Sequence, residues 1–136
     1  MRKNLTRILA VTILVIMALS TATTAFAANI SFKHNTTIGG TYTFNRDNTA
    51  NWVGPGRANT QRNVSVVQSV YHSRGLCTQT AIDGYFGNQT KSMITYLQIL
   101  YKFPKDKQDG DCGTTTWVNI YYDRGDISGY TLKYIL

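Results

Sequence analysis

An eight-residue pattern occurs twice in the chain and constrains how everything around it can fold. It reads Asp83-Gly84-Tyr85-Phe86-Gly87-Asn88-Gln89-Thr90, then Asp109-Gly110-Asp111-Cys112-Gly113-Thr114-Thr115-Thr116, so both copies are D-G-x-x-G-x-x-T. Each follows a similar apolar stretch, Val67-Gln68-Ser69-Val70-Tyr71 before the first and Leu97-Gln98-Ile99-Leu100-Tyr101 before the second. Recurrence at roughly 26–30 residues marks a repeated supersecondary unit, and two degenerate copies imply one small pseudo-symmetric domain. Asp-Gly opens a turn, because glycine accepts positive φ and aspartate bonds nearby backbone N–H groups. Gly87 then lets the chain bend into a helix capped by Gly87 or Asn88. Thr90 falls in its first turn, where a hydroxyl can satisfy an orphan N–H. Phe86 is the apolar plug between the glycines.

The flanking stretches read as helices. Asn63 is a good N-cap, and Val64, Val67, Val70 and Tyr71 share one face of a helix that stops near Gly75. Leu76–Ile82 is a loop carrying Cys77. A second helix is expected from about Asn88 to Tyr101, with Met93, Ile94, Leu97, Leu100 and Tyr101 as its apolar stripe and Pro104 ending it. A charged loop, Lys105–Asp109, precedes a shorter third helix with Trp117, Ile120 and Tyr121 on one face. Asp123–Asp126 reads as a plain turn.

The two ends read as strands. Ile30, Phe32 and His34 alternate with polar residues, and Tyr42 and Phe44 alternate with threonine beyond a Gly39-Gly40 turn. Tyr130, Leu132, Tyr134 and Leu136 alternate in the same way, so a final strand could pair with an N-terminal one. Trp52, ahead of the Gly54-Pro55-Gly56 breaker, is either a core plug or an exposed binding ring.

The chain opens on Met1-Arg2-Lys3, with Arg7, an apolar run from Ile8 to Leu19, and small residues ending Ala25-Phe26-Ala27-Ala28. That order is the layout of a secretory signal peptide, with cleavage expected after Ala27. The run is short for a membrane span, which needs about 20 residues. No second apolar run follows, so stable membrane insertion after cleavage is not expected. Losing Arg2, Lys3 and Arg7 takes the basic residues from 14 to 11 and the net charge from +7 to +4. All seven acids are aspartates, and glutamate is absent. The remaining charge weakly favours anionic surfaces such as a bacterial wall, and it is too small and scattered for nucleic acid. Cys77 and Cys112 both lie in the exported part, where an oxidising compartment favours a disulfide; two buried free thiols are the alternative. A bridge closing that loop would contribute on the order of 3–4 kcal/mol. His34 and His72 have no second ligand at metal spacing, so neither a metal nor another cofactor is expected.

Asn63–Trp117 resembles the peptidoglycan-binding domain family, a small three-helix module common on secreted cell-wall hydrolases. The residues that carry the resemblance are Val64…Val67-Gln68…Tyr71, the first D-G-x-x-G-x-x-T, Leu97-Gln98, and the second copy followed by Trp117. Leu97 stands where the family usually has phenylalanine, and Tyr101-Lys102-Phe103-Pro104 replaces the usual glycine-bearing turn. The expectation is a mainly α fold: a three-helix peptidoglycan-binding-like module with short flanking β-strands from both termini. Its segments are a signal peptide over 1–27, an extended segment over 28–61, the module over 62–122, and a turn and strand over 123–136. Carried over, Asp83, Gly84, Phe86, Gly87, Thr90, Asp109, Gly110, Gly113 and Thr116 are scaffold.

Catalysis is not expected. Asp83 and Asp109 sit in turns, nothing pairs two acids across a cleft, and Ser69 with His72 lacks an orienting acid. Wall glycan offers sugar faces that stack on aromatic rings, amides that suit Asn and Gln, and carboxylates that suit Arg and Lys. The expected contact residues are Tyr85, Asn88, Gln89 and Lys91, with Tyr96, Arg74 and Trp117 in addition. The second copy, with Asp111 and Cys112 in its variable slots, is expected to be a covalent anchor. The partner is then peptidoglycan, through its glycan strands or stem peptides, and the location is extracellular and wall-associated. The alternative is a secreted protein partner, with the module acting as an inhibitor or accessory of a secreted enzyme.

Overall fold

The computed structural model describes residues 28–34, 41–124 and 126–127. The signal peptide expected over 1–27, the turn expected at Gly39-Gly40 and the strand expected over Tyr130–Leu136 lie outside them. Within them the fold is mainly α. Three helices, α1 (Gln61–Ser73), α2 (Asn88–Leu100) and α3 (Thr114–Arg124), accompany a small sheet of β1 (Asn29–His34), β2 (Thr41–Asn45) and β3 (Asp126–Ile127). The strand order is β2-β1-β3. β1 and β2 are antiparallel, with Ile30 opposite Phe44 and Phe32 opposite Tyr42. β3 runs parallel to β1, pairing Lys33 with Asp126.

Alternation along the strands puts Ile30, Phe32 and Phe44 on the buried face. They meet α3 there: Phe44 packs edge-on to Trp117 at 4.7 Å between ring centroids, and Phe32 lies 6.2 Å from the same ring. One core cluster joins these residues to Val53 and to the apolar faces of all three helices. The 28–61 segment and the helices therefore share a single hydrophobic core.

α1 starts two residues earlier than Asn63. Thr60 is the N-cap, and its hydroxyl accepts the Asn63 N–H at 3.4 Å. Asn63 cannot cap because its side chain is used elsewhere: Nδ2 donates to the Asn51 carbonyl at 2.9 Å, and Oδ1 accepts from the Tyr42 hydroxyl. Every residue from Asn63 to Val70 is buried, so α1 is a central helix and not a one-faced surface helix. Val64, Val66, Val67 and Val70 are poor helix formers, each costing about 0.5 kcal/mol relative to alanine. Burying a valine contributes about 1.5 kcal/mol or more, so packing outweighs propensity here.

α2 is capped by Gly87, whose carbonyl accepts the Lys91 N–H at 2.9 Å. Its stripe is narrower than expected: Met93, Ile94 and Leu97 are buried, Tyr101 packs at the core margin, and Leu100 is exposed. The helix ends before Pro104, in a Schellman arrangement. The Phe103 N–H bonds the Gln98 carbonyl at 3.0 Å, the Lys102 N–H bonds that of Ile99 at 2.9 Å, and Lys102 has φ +58°. α1 ends with Gly75 in the corresponding left-handed position, φ +71°.

α3 buries Trp117 and Ile120 and runs on to Arg124, so Asp123 and Arg124 are helical and not part of a turn. The Asp123 carboxylate accepts from Arg74 Nη2 at 2.7 Å and from the Tyr101 hydroxyl at 2.9 Å. One carboxylate thereby ties together the C-terminal ends of all three helices.

Candidate functional site

Each copy of the repeated pattern is held by a glutamine from the preceding helix. Gln68 Oε1 accepts the Gly84 N–H at 2.9 Å. Its Nε2 lies within donating distance of Asp83 Oδ1 (2.8 Å), Thr90 Oγ1 (3.1 Å) and the Tyr85 carbonyl (3.2 Å). Asp83 Oδ1 also accepts the Tyr85 N–H at 2.9 Å. Gln98 repeats the set: Oε1 accepts the Gly110 N–H, and Nε2 reaches Asp109 Oδ1, the Asp111 carbonyl and Thr116 Oγ1. Thr90 does not cap an orphan N–H; its hydroxyl donates to the Tyr85 carbonyl at 2.8 Å.

Gly84 and Gly110 are required at these turns. Both have φ near +70°, and a Cβ at either would meet the helix behind it, Gln61 in one case and Lys91 in the other, at 2.5 Å. The repeated residues are thus used up in mutual contacts. Asp83 and Asp109 hold backbone and amide groups, and the Ser69 hydroxyl donates to the Ser65 carbonyl at 2.6 Å.

The residues between them are presented differently in the two copies. In the first, Tyr85 is 77% exposed, and Asn88, Gln89 and Lys91 are exposed with it around the start of α2. Asn59, Gln61 and Phe86 complete a hollow of about 310 Å³ beneath Tyr85. Tyr96 is separate: it lies about 12 Å along α2 from Asn88 and packs edge-on against Tyr71. Two expected contact residues are not available. Trp117 is fully buried, its indole N–H given to the Asn51 carbonyl at 3.2 Å. Arg74 is engaged by Asp123 and stands over the Tyr101 ring.

The second copy is an anchor without a covalent bond. Cys77 and Cys112 are both free thiols. Cys112 is enclosed in the core, where burial pushes its thiol pKa well up, and its backbone forms a bridge with Val53, N–H to carbonyl at 2.7 Å. Cys77 lies partly buried in the turn after α1, near Tyr71, and burial raises its pKa too. Asp111 receives the Arg57 guanidinium, with Nε at 3.1 Å from both carboxylate oxygens. Gly54 lets Asp111 approach, since a Cβ there would lie 2.9 Å from the Asp111 Cα.

Beside this anchor is a cleft of about 460 Å³ that sequence reasoning did not identify. Its walls include Trp52, Lys102, Phe103, Pro104, Lys107 and Thr115. Trp52 is partly buried, with its indole N–H bonded to the Arg46 carbonyl at 2.9 Å and Arg57 over its ring, so it is core plug and cleft wall at once. The signal in the sequence was Tyr101-Lys102-Phe103-Pro104, the departure from a glycine-bearing turn. Among the described residues no group of three or more His, Cys or Asp could hold a metal ion. Among the same residues no helix is long and apolar enough to cross a membrane. Comparison of the chain with family models, curated proteins and solved structures finds no match.

Proposed function

We propose that this is a secreted, non-catalytic protein that binds bacterial cell-wall peptidoglycan noncovalently, with Tyr85, Asn88, Gln89 and Lys91 as its contact surface. One observation carries the reading: the glutamine-held first loop commits its repeated residues to contacts within the loop and leaves these four exposed, with Tyr85 beside a hollow. A tyrosine ring suits a sugar face, the amides suit N-acetyl groups and hydroxyls, and the lysine suits a carboxylate. The resemblance of Asn63–Trp117 to the peptidoglycan-binding family supports the same ligand. The test is sedimentation with purified insoluble wall at low salt. Wild-type protein is expected in the pellet and Tyr85→Ala largely in the supernatant. Full recovery of the wild type in the supernatant overturns the reading.

A second reading has its own support. Tyr96, Ile99 and Leu100 are exposed on α2, and Leu76 is exposed after α1. Residues three and four apart share a helix face, so the first three form an apolar strip suited to a secreted protein partner. Crosslinking in culture supernatant to one defined protein, with no wall retention, would favour it.

A further inference from the structure

The cleft beside the second loop carries a ligand-binding argument of its own, independent of the wall-binding surface at Tyr85. Its volume of about 460 Å³ falls within the usual range for small-molecule sites. Phe103 and Pro104 give it an apolar wall, with Thr115 contributing a hydroxyl.

Its charges are unevenly committed. The Asp109 carboxylate is exposed on the cleft wall; its Oδ1 accepts from Gln98 Nε2 at 3.0 Å and from the Asp111 N–H at 2.9 Å, both neutral donors, and it has no ion pair among the described residues. The Asp111 carboxylate is matched by Arg57. Lys102 and Lys107 have no ion pair or hydrogen-bonded partner for their ammonium groups among the described residues. The cleft therefore carries two lysines against the one unpaired Asp109 carboxylate, a net positive charge beside an apolar wall.

The backbone points to the same place. Lys102 and Asn59 are the non-glycine residues with positive φ among those described. Asparagine tolerates that region, whereas lysine gives up stability in a position that α1 fills with Gly75. Backbone strain of this kind concentrates at functional sites. It sets a charged side chain on the rim of the cleft, where glycine would make an unstrained turn.

We infer that this cleft binds the carboxylate-bearing end of a short apolar peptide, with Lys102 and Lys107 facing the carboxylate and Phe103 and Pro104 facing the side chains. The probe is an N-acetylated alanine dipeptide, as the free acid and as its C-terminal amide, titrated into the protein and followed by NMR at the Trp52 indole N–H and the Phe103 amide. The free acid should bind saturably, shift those signals, and weaken as salt is raised. The amide should bind about tenfold more weakly, roughly the loss expected for one charge-assisted hydrogen bond.

A double variant, Lys102→Asn with Lys107→Gln, should lose about tenfold in affinity for the acid, because asparagine keeps the left-handed turn while removing the charge. Lys105→Gln, on the same loop but outside the cleft, should bind as the wild type does. Unchanged circular dichroism and thermal unfolding in the double variant would show that the fold is intact. If the double variant unfolds, the acid–amide comparison on wild type decides alone. Equal affinity for acid and amide, no saturable shift, or shifts confined to the Tyr85 loop would each overturn the inference. Sedimentation of Tyr85→Ala reads the other surface and the dipeptide titration reads this cleft, so either proposal can fail without the other.

Discussion

Loops 83–90 and 109–116 are held by the same set of hydrogen bonds and differ in what lies outside it. The first has Tyr85 and Phe86 in its variable slots, and it projects the tyrosine into solvent. The second has Asp111 and Cys112 there, and both turn toward the N-terminal segment, one to Arg57 and the other to the Val53 backbone. An identical scaffold thus supports an exposed loop in one copy and a buried joint in the other. The repeated residues define the turn, and the residues between them decide its use. The joint also makes the second cleft composite, with Trp52 from outside the helical module closing it.

The largest effect that tests this equivalence is loss of a glutamine. Gln68→Ala and Gln98→Ala each leave a buried glycine N–H without its partner and remove one hydrogen bond each from an aspartate oxygen and a threonine hydroxyl. Orphaned buried polar groups are costly, and the expected loss is about 3 kcal/mol for either variant by urea denaturation. Similar losses would confirm that the two networks are interchangeable. A much smaller loss at Gln98 would show that the Val53 bridge and Arg57 already hold the second loop without it.

These glutamines show where sequence reasoning stopped. Both belong to the motif and could be quoted from it, yet their role was not visible. Gln68 lies 15 residues before Asp83, whereas Gln98 lies 11 before Asp109, so no fixed spacing links glutamine to loop. α1 continues further past its glutamine than α2 does, which hides the repeat from any single-period pattern. Local chemistry was legible: the Asp-Gly turns, the three helices, and the strand alternation of Ile30, Phe32 and Phe44. Competition between distant groups was not. Asn63 and Thr60 are both good caps three residues apart, and only Asn51 and Tyr42, which engage the Asn63 side chain, decide between them. Trp117 shares its helix face with Ile120 and Tyr121, and that pattern outweighed its appeal as a binding ring. The free cysteines follow the same rule, since compartment and count say nothing of direction and Cys112 is turned into the core.

The glycine pair gives the next effect. Gly84→Ala and Gly110→Ala each combine positive φ with a Cβ placed 2.5 Å from a side-chain carbon and just over 3 Å from a helix carbonyl. Each should cost about 2 kcal/mol. The two values test whether both turns press equally closely on their helices. A near-neutral result at either would mean that its helix can move aside.

Tyr101 tests the contact that holds the three helix ends together. Burial, then its hydrogen bond to Asp123, raise its phenol pKa above the ordinary 10.0. The folded protein keeps a proton that the unfolded chain releases, so this contribution is complete below about pH 10 and is lost as pH rises further. Tyr101→Phe should cost about 1 kcal/mol at neutral pH and flatten the fall in stability above pH 10, measured by urea unfolding across the alkaline range. An unchanged alkaline slope would place the titration elsewhere.

The smallest effect concerns the ends of α1 and α2, where the two units differ by one residue at the left-handed position. Gly75 has open space around its Cα, so Gly75→Ala carries only a conformational cost, about 1 kcal/mol. Lys102→Gly runs the other way. It relieves about 1 kcal/mol of backbone strain and gives back part of that through the freer unfolded chain, for a net gain of about 0.5 kcal/mol. Melting of both variants reads the difference directly. If Lys102→Gly stabilises the protein while weakening the dipeptide acid, the lysine is retained at the expense of stability for what its charge does in the cleft. If it destabilises, packing of the lysine stem against the second loop outweighs the strain, and the two helix ends are equivalent in energy despite their sequences.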